Sequence, residues 1–476
     1  VSTGNAFTHD VVIVGAGAAG MSAAVAAATC GLRPVVLDEQ PRAGGQIYRN
    51  VTVLRPSLAA LLGRDYGRGA DLVGRFIASG AEVHHGSAVW DVSRDLTVTA
   101  QHGSHSFQVR APQLLVADGA IERPSPVPGW TLPGVLNAGA AQIALKTAGQ
   151  IPAGRVVLVG GGPLLLLVAC QLLEAGAQLA AVVETSPASN RALASPHVSG
   201  ALRSPTLLVK GLRMLWQLKQ AGTAMFRHAR DVRIDGGEDN ARVRAVSFAV
   251  DGKAHRLGAD VVLLHHGVVP NTQVSRLLRV DHDWNDAQLA WQPRVDQWGQ
   301  TSLAGFRIAG DAAGIAGAQA AEASGAIASI GAALALGRLD AAEADKRARP
   351  WRAAFSRHLR IRPFLDALYR PPAWLADCAD DTIVCRCEEV TAGEVRAMAR
   401  LGCEGPNQTK FFSRCGMGPC QGRMCGLTVT QLLAKTLART PAQVGAYRVR
   451  APLKPVTLAS FAALGGHTPG KREGTS

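Results

Sequence analysis

Residues 10–38 read DVVIVGAGAAGMSAAVAAATCGLRPVVLD, and their order decides the fold. Asp10-Val11-Val12-Ile13-Val14 is a short apolar run, followed at once by Gly15-Ala16-Gly17-Ala18-Ala19-Gly20. An Ala-rich helix is expected to continue to about Cys30, with Gly31 closing it and Val35-Val36-Leu37 forming a second strand that ends in Asp38. The pattern is a dinucleotide-binding βαβ unit. Gly15 makes the tight turn, Gly17 lets backbone amides approach a pyrophosphate, and Gly20 allows helix and strand to pack closely. The helix N-terminus, at Ala18 and Ala19, carries about half a positive charge, which favours phosphate. Asp38, with Glu39 beside it, stands where an acid accepts ribose hydroxyls. A second glycine pair follows in Pro41-Arg42-Ala43-Gly44-Gly45-Gln46, either a further phosphate contact or an ordinary turn.

The rest of the composition narrows the class. The chain has 476 residues, of which 47% are apolar and 18% charged, so it can bury several cores and is not a disordered chain. Its 52 glycines show no three-residue period, which excludes collagen. The net charge of +14 comes from 50 Lys and Arg against 36 acids. No nucleic-acid-binding motif accompanies it, and Lys346 to Arg370 concentrates the excess between two other segments, either beside an anionic centre or a partner subunit or as a solvated helical face. Val156 to Leu173 is apolar but interrupted by Gly160-Gly161-Gly162-Pro163, so it reads as strand, turn and buried helix and not as a membrane span. Val1 to Asp10 is too short and polar for a secretory signal, and nine cysteines are an odd number for a disulfide framework. The expectation is a cytoplasmic protein with reduced thiols, associated with membranes only through a complex.

Almost 300 residues downstream, Phe306-Arg307-Ile308-Ala309-Gly310-Asp311 leads into a Gly/Ala-rich helix expected from about Ala316 to Gly337. This stretch resembles the second FAD fingerprint of flavoproteins with two dinucleotide domains, a likeness that implies a ribityl-binding role for Gly310 and Asp311. One departure stands out: Ala117-Asp118-Gly119 replaces that family's Ala-Thr-Gly and puts an acid near a pyrophosphate. Between the two fingerprints, Arg155–Val159 and Gly160-Gly161-Gly162-Pro163-Leu164-Leu165 begin a second Rossmann half that ends at Glu184. Two readings compete, an NAD(P)H site with Glu184 on the ribose, or a scaffold that binds no nicotinamide. Leu165, in place of the third glycine, favours the scaffold by pushing the helix away from strand and phosphate.

Seven of the nine cysteines lie between Cys378 and Cys425. Cys385-Arg386-Cys387 is followed by a capping box, Thr391-Ala392-Gly393-Glu394, opening a helix that should stop at Gly402. Cys415, Cys420 and Cys425 follow. Cys-x-Cys with a distant cysteine pair at a helix start resembles the bacterioferritin-associated-ferredoxin-like [2Fe-2S] domain. The spacing favours Cys385, Cys387, Cys420 and Cys425 as ligands, with Cys415 as a substitute and Cys403 in the core. A four-cysteine zinc site is the rival, but zinc prefers Cys-x-x-Cys knuckles and carries no electrons.

Together these motifs, with Glu122-Arg123-Pro124, Pro128-Gly129-Trp130 and the tail Pro455-Val456-Thr457-Leu458, resemble the alpha subunit of bacterial heteromeric amine dehydrogenases. That family includes opine oxidases, hydroxyproline dehydrogenases and hydrogen cyanide synthase. The resemblance implies an α/β flavoprotein with two Rossmann-like dinucleotide domains and a small, mainly helical [2Fe-2S] domain. It further implies FAD, a cluster and, in some members, an FMN lodged at a subunit interface; NAD(P) is not expected, on account of Leu165. The implied partners are a substrate-oxidising flavoprotein beta subunit and, in some members, a small ferredoxin-like gamma subunit, with no nucleic acid and no integral membrane segment. The expected division is 1–122 and 265–344 for the FAD domain, 123–264 for the inserted domain, 345–379 for a basic linker, 380–445 for the cluster domain and 446–476 for a tail. The rival functions are a self-sufficient NAD(P)H-dependent reductase and a non-catalytic scaffold with a degraded flavin site. No catalytic acid or base is identifiable in the sequence.

Overall fold

The computed structural model describes residues 7–238 and 241–465. Its first sheet is parallel, with strands in the spatial order Phe306–Ile308, Gln113–Val116, Val11–Val14, Pro34–Asp38 and Glu82–His85. The strand from the distant second fingerprint thus completes the sheet begun by the first. All four residues of Val11–Val14 are buried, as a strand covered on both faces requires. Helix Ala18–Thr29 lies on one face and packs against Ala318–Ala335. That contact depends on small side chains: a Cβ on Gly325 would stand 2.0 Å from the Ala19 carbonyl oxygen.

A second parallel sheet is ordered Ala224–Phe226, Gln178–Glu184, Arg155–Gly160, Val261–His265 and Val135–Asn137. The chain crosses between the two sheets along paired antiparallel segments, Ala120–Glu122 with Val268–Pro270. Each Rossmann half also carries a three-stranded antiparallel layer, Ser87–Arg110 and Arg230–Gly258 respectively.

The basic segment expected as a linker is mostly helical. Ala341–Leu359 is a helix whose Ala344 and Ala348 are buried in the core of the first half, and Arg362–Leu368 forms a second short helix. Apolar Ala and Trp351 recur among the cations of this segment and anchor it. The charges therefore occupy the solvent side of packed helices. The cysteine module is a hairpin, Ile383–Cys385 with Val390–Thr391, and the helices Ala392–Arg400, Pro406–Ser413, Gly426–Thr436 and Pro441–Val444. The capping box forms as its spacing predicts: Glu394 N donates to Thr391 Oγ1 and Thr391 N to Glu394 Oε2.

Candidate cofactor and cluster sites

In the first half the glycines are fixed by contact and not by turn preference alone. A Cβ on Gly20 would lie 1.7 Å from the Gly15 carbonyl oxygen, and one on Gly15, at φ +99°, would lie 2.6 Å from that of Ala117. The second glycine pair is part of the same loop. Gly44 N donates to Ala16 O at 2.8 Å, and a Cβ on Gly45 would meet Gly17 Cα at 2.8 Å. Asp38 accepts from Ala16 N at 2.5 Å and from Gln40 N at 2.7 Å, so it braces the loop from the second strand. Glu39 pairs with Lys454 of the C-terminal tail. Buried Lys146 donates to the Gln46 carbonyl at 3.1 Å, and burial pushes its pKa down to about 8. The amides at the start of helix Ala18–Thr29 have no capping side chain, which leaves them available to an anion.

On the far side of the loop, Gly310 N donates to Ser324 Oγ at 2.7 Å, and a Cβ on Gly310 would press on Ala19 Cβ at 2.8 Å. Asp311 accepts from Ala316 N and Gly317 N at 3.0 and 3.1 Å and so orders the turn that opens helix Ala318–Ala335. Next to the loop, Asp118 Oδ1 has neither solvent nor a hydrogen-bond partner, and desolvation raises this carboxyl to a pKa of about 7. An orphaned acid beside uncapped helix amides and closely packed glycines fits a bound dinucleotide with hydroxyls to offer it.

The second half is built differently. Gly160, at φ +142°, keeps its close approach, with a Cβ 1.7 Å from the His265 carbonyl oxygen. Leu165, at the third glycine position, is buried at 1% exposure in a core with Val156, Leu158 and Leu263. Pro163 removes one N–H from the first helical turn. The mouth is covered. Tyr369 lies at Gly161, where its Cδ1 would stand 3.8 Å from a Cβ, and buried Asn190 donates to Leu368 O and Arg370 O at 3.2 and 2.9 Å. Glu184, proposed for a ribose, shares this crevice with Tyr369, whose pKa burial and then the Glu184 charge raise to about 12. His266 is bonded to Ser125 at 2.7 Å and Thr185 at 3.0 Å and held neutral by burial, which is a structural role.

In the cysteine module, the Sγ atoms of Cys385, Cys415 and Cys425 lie within 4.8 Å of one another, all buried. Cys387 and Cys420 form an adjacent hydrogen-bonded pair nearer the surface. Cys385 accepts hydrogen bonds from Cys415 and Cys425, and backbone N–H groups of Gly416 and Glu388 add to them. These hold its thiol far below the usual range and push those of Cys415 and Cys425 up. Of the four cysteines favoured by spacing, Cys385 and Cys425 thus meet Cys415, while Cys387 and Cys420 pair beside them. Cys403 is buried outside this group. The glycines of 416–422 permit the wrap: a Cβ on Gly418 would stand 2.3 Å from Cys387 Cβ.

The module touches both halves. Trp130 Nε1 donates to Ile383 O at 2.6 Å, with the Arg386 guanidinium 5.4 Å from the Trp130 ring centre. Arg423 holds Leu453 O at 3.0 Å, Leu453 N donates to Trp90 O at 2.7 Å, and Lys454 reaches Glu39. Sequence patterns gave no sign of Tyr369, Lys146 or Lys454, because each acts across a tertiary contact.

Comparisons with known proteins match this division. Residues 9–325 match the family model "Pyridine nucleotide-disulphide oxidoreductase", and residues 380–465 match "Sarcosine oxidase A3 domain". The chain is 44% identical to an opine oxidase subunit from Rhizobium meliloti, over 96% of this chain and 88% of that one. It is 32% identical to the hydrogen cyanide synthase subunit HcnB of Pseudomonas aeruginosa, over 95% and 98%. Among solved structures, L-proline dehydrogenase from P. horikoshii shares the fold with a TM-score of 0.69, at 17% identity, covering 95% of this chain and 79% of that one. The chain belongs to the pyridine nucleotide-disulphide oxidoreductase family, in the branch that holds this opine oxidase subunit and HcnB.

Proposed function

We propose that this protein is the electron-relay flavoprotein subunit of a heteromeric amine or imino-acid dehydrogenase. FAD is assigned to Gly15, Gly17, Ala18, Ala19, Gly20, Asp38, Glu39, Gly44, Gly45, Gln46, Gly310 and Asp311, and a [2Fe-2S] cluster to Cys385, Cys387, Cys420 and Cys425. The observation that carries this reading is a buried group of three thiols with a thiol pair beside it, in a module bonded to the second dinucleotide-binding half through Trp130 and to the first through the tail at Leu453. The names of the relatives, subunits of opine oxidase and hydrogen cyanide synthase, support a donor with a C–N bond and a partner chain that oxidises it. That partner is a flavoprotein beta subunit; in some members of the family a ferredoxin-like gamma subunit or an FMN at the subunit interface accompanies it. A flavin accepts electrons in pairs and releases them singly, whereas a cluster carries one at a time. The residues of this chain bind and orient: the glycine loop and uncapped helix hold pyrophosphate, Asp38 and Glu39 face ribose, and the four cysteines would hold the cluster.

The rival NAD(P)H-dependent reductase requires the second glycine loop to admit a dinucleotide. Leu165, Pro163 and Tyr369 all oppose that. Rapid mixing of the purified complex with amino and imino acids, with an artificial acceptor present, tests the proposal. Substrate should bleach the flavin and reduce the cluster, and Cys387→Ala should retain flavin bleaching while losing reduction of the acceptor. Bleaching of the isolated chain by NADH at catalytic rates would overturn it in favour of the reductase.

A further inference from the structure

From Glu184 to Asp231 the chain contains no Asp or Glu between those two residues, yet seven Lys and Arg: Arg191, Arg203, Lys210, Arg213, Lys219, Arg227 and Arg230. Within this stretch the helix Pro205–Gln220 buries only Met214 and Leu218. Val209, Leu212 and Trp216, spaced three and four residues apart, share the opposite face at 62%, 67% and 59% exposure. Leu202, 65% exposed, precedes them on the neighbouring short helix. At 100° per residue, Arg213 and Lys219 border this stripe on its two sides, and both are exposed. Lys210 alone among the helix cations is paired, with Asp65 at 2.5 Å.

We infer that this face docks the protein on an anionic lipid surface, with the Pro205–Gln220 helix lying in the interfacial plane. The charge pattern favours lipid over a partner chain: no acid between Glu184 and Asp231 offsets the seven cations, so an anionic headgroup layer meets attraction along the whole stretch. A basic border around a Leu/Trp stripe is what a headgroup layer accommodates, apolar tips below and ammonium or guanidinium groups at phosphate level. Among the described residues no helix is long and apolar enough to cross a membrane, so the association is with the surface. The inference does not depend on the relay or the cluster. It brings an oxidoreductase to the phase in which lipid-soluble electron acceptors dissolve.

Sedimentation of the full chain in its native complex with vesicles tests it, using phosphatidylcholine alone and phosphatidylcholine mixed with phosphatidylglycerol. The wild type should pellet with the phosphatidylglycerol vesicles, and salt should release it. Leu212→Glu/Trp216→Glu should lower binding roughly tenfold or more, and Arg213→Gln and Lys219→Gln roughly fivefold each. Trp216→Phe should retain it. All these positions are exposed, so the thermal unfolding midpoint should not move. A wild type that stays in the supernatant would overturn the inference. So would glutamate variants that bind vesicles normally, or that instead shed another subunit of the complex, which would make the face a protein interface.

Discussion

The two glycine loops of this molecule begin alike and end differently. Gly15-x-Gly17-x-x-Gly20 and Gly160-x-Gly162-x-x-Leu165 each press their first glycine against the end of a neighbouring parallel strand. In the first loop the third glycine closes on the first, helix amides are uncapped, and a second glycine pair buttresses the outer side. In the second the third position is a buried leucine, the first helical residue is a proline, and a tyrosine from a distant segment lies over the loop. One βαβ geometry thus carries an open glycine loop in one place and a packed one in the other. The third loop position and what lies at the mouth separate them, not the fold.

Gly20→Ala is the most severe way to break the comparison, because its new Cβ meets backbone that cannot yield. It should cost more than about 4 kcal/mol of loop integrity and strip flavin from the purified protein, read by absorbance. The matching substitution, Leu165→Ala, should lower unfolding stability by about 2–4 kcal/mol through the cavity it leaves, with flavin content unchanged. Loss of flavin there would mean that the second loop also serves a cofactor.

Asp118→Asn comes next and carries a pH signature. The carboxyl ionises at about 7 in the folded protein, against an ordinary value of 3.8. Below about pH 4 it is protonated in both folded and unfolded chains. Between about 4 and 7 only the unfolded chain releases the proton, so the acid costs stability increasingly as pH rises. The flavin-free Asn variant should therefore exceed the wild type by about 1–3 kcal/mol at pH 8 and match it near pH 4, measured by denaturant unfolding. Tyr369→Ala should have the smallest effect. With Leu165 and Pro163 still in place, NADH should still fail to bleach the flavin, and unfolding stability should drop by about 1 kcal/mol. Bleaching in that variant would show that the tyrosine alone separates the two loops.

Most of the fold was legible because it rests on local patterns. A strand–glycine–helix run, a Gly-Asp strand end and a capping box each announce themselves within about a dozen residues, and helices fall within two or three residues of the expected ends. Leu165 was legible as a departure from the glycine pattern, but its burial in a core with Val156, Leu158 and Leu263 was not, because those partners come from different strands. The basic linker concealed packed helices because alanines, weak as apolar signals, form its buried face. Of the site residues, those in motifs were legible. Tyr369, Lys146 and Lys454 were not, since their partners lie about 100 residues or more away in sequence and only the fold joins them. Cys415 was visible as a spare cysteine, but spacing could not place it against Cys385 and Cys425.

The central claim is that a flavin loop and a thiol-bound cluster coexist in one chain. Its most direct test is the measurement of flavin, iron, acid-labile sulfide and zinc in the protein purified without air. The account predicts flavin together with about two iron and two sulfide per chain, with the iron lost in Cys385→Ala and Cys420→Ala while the flavin stays. Folded protein that carries zinc in the cysteine module, or neither iron nor sulfide, would contradict it.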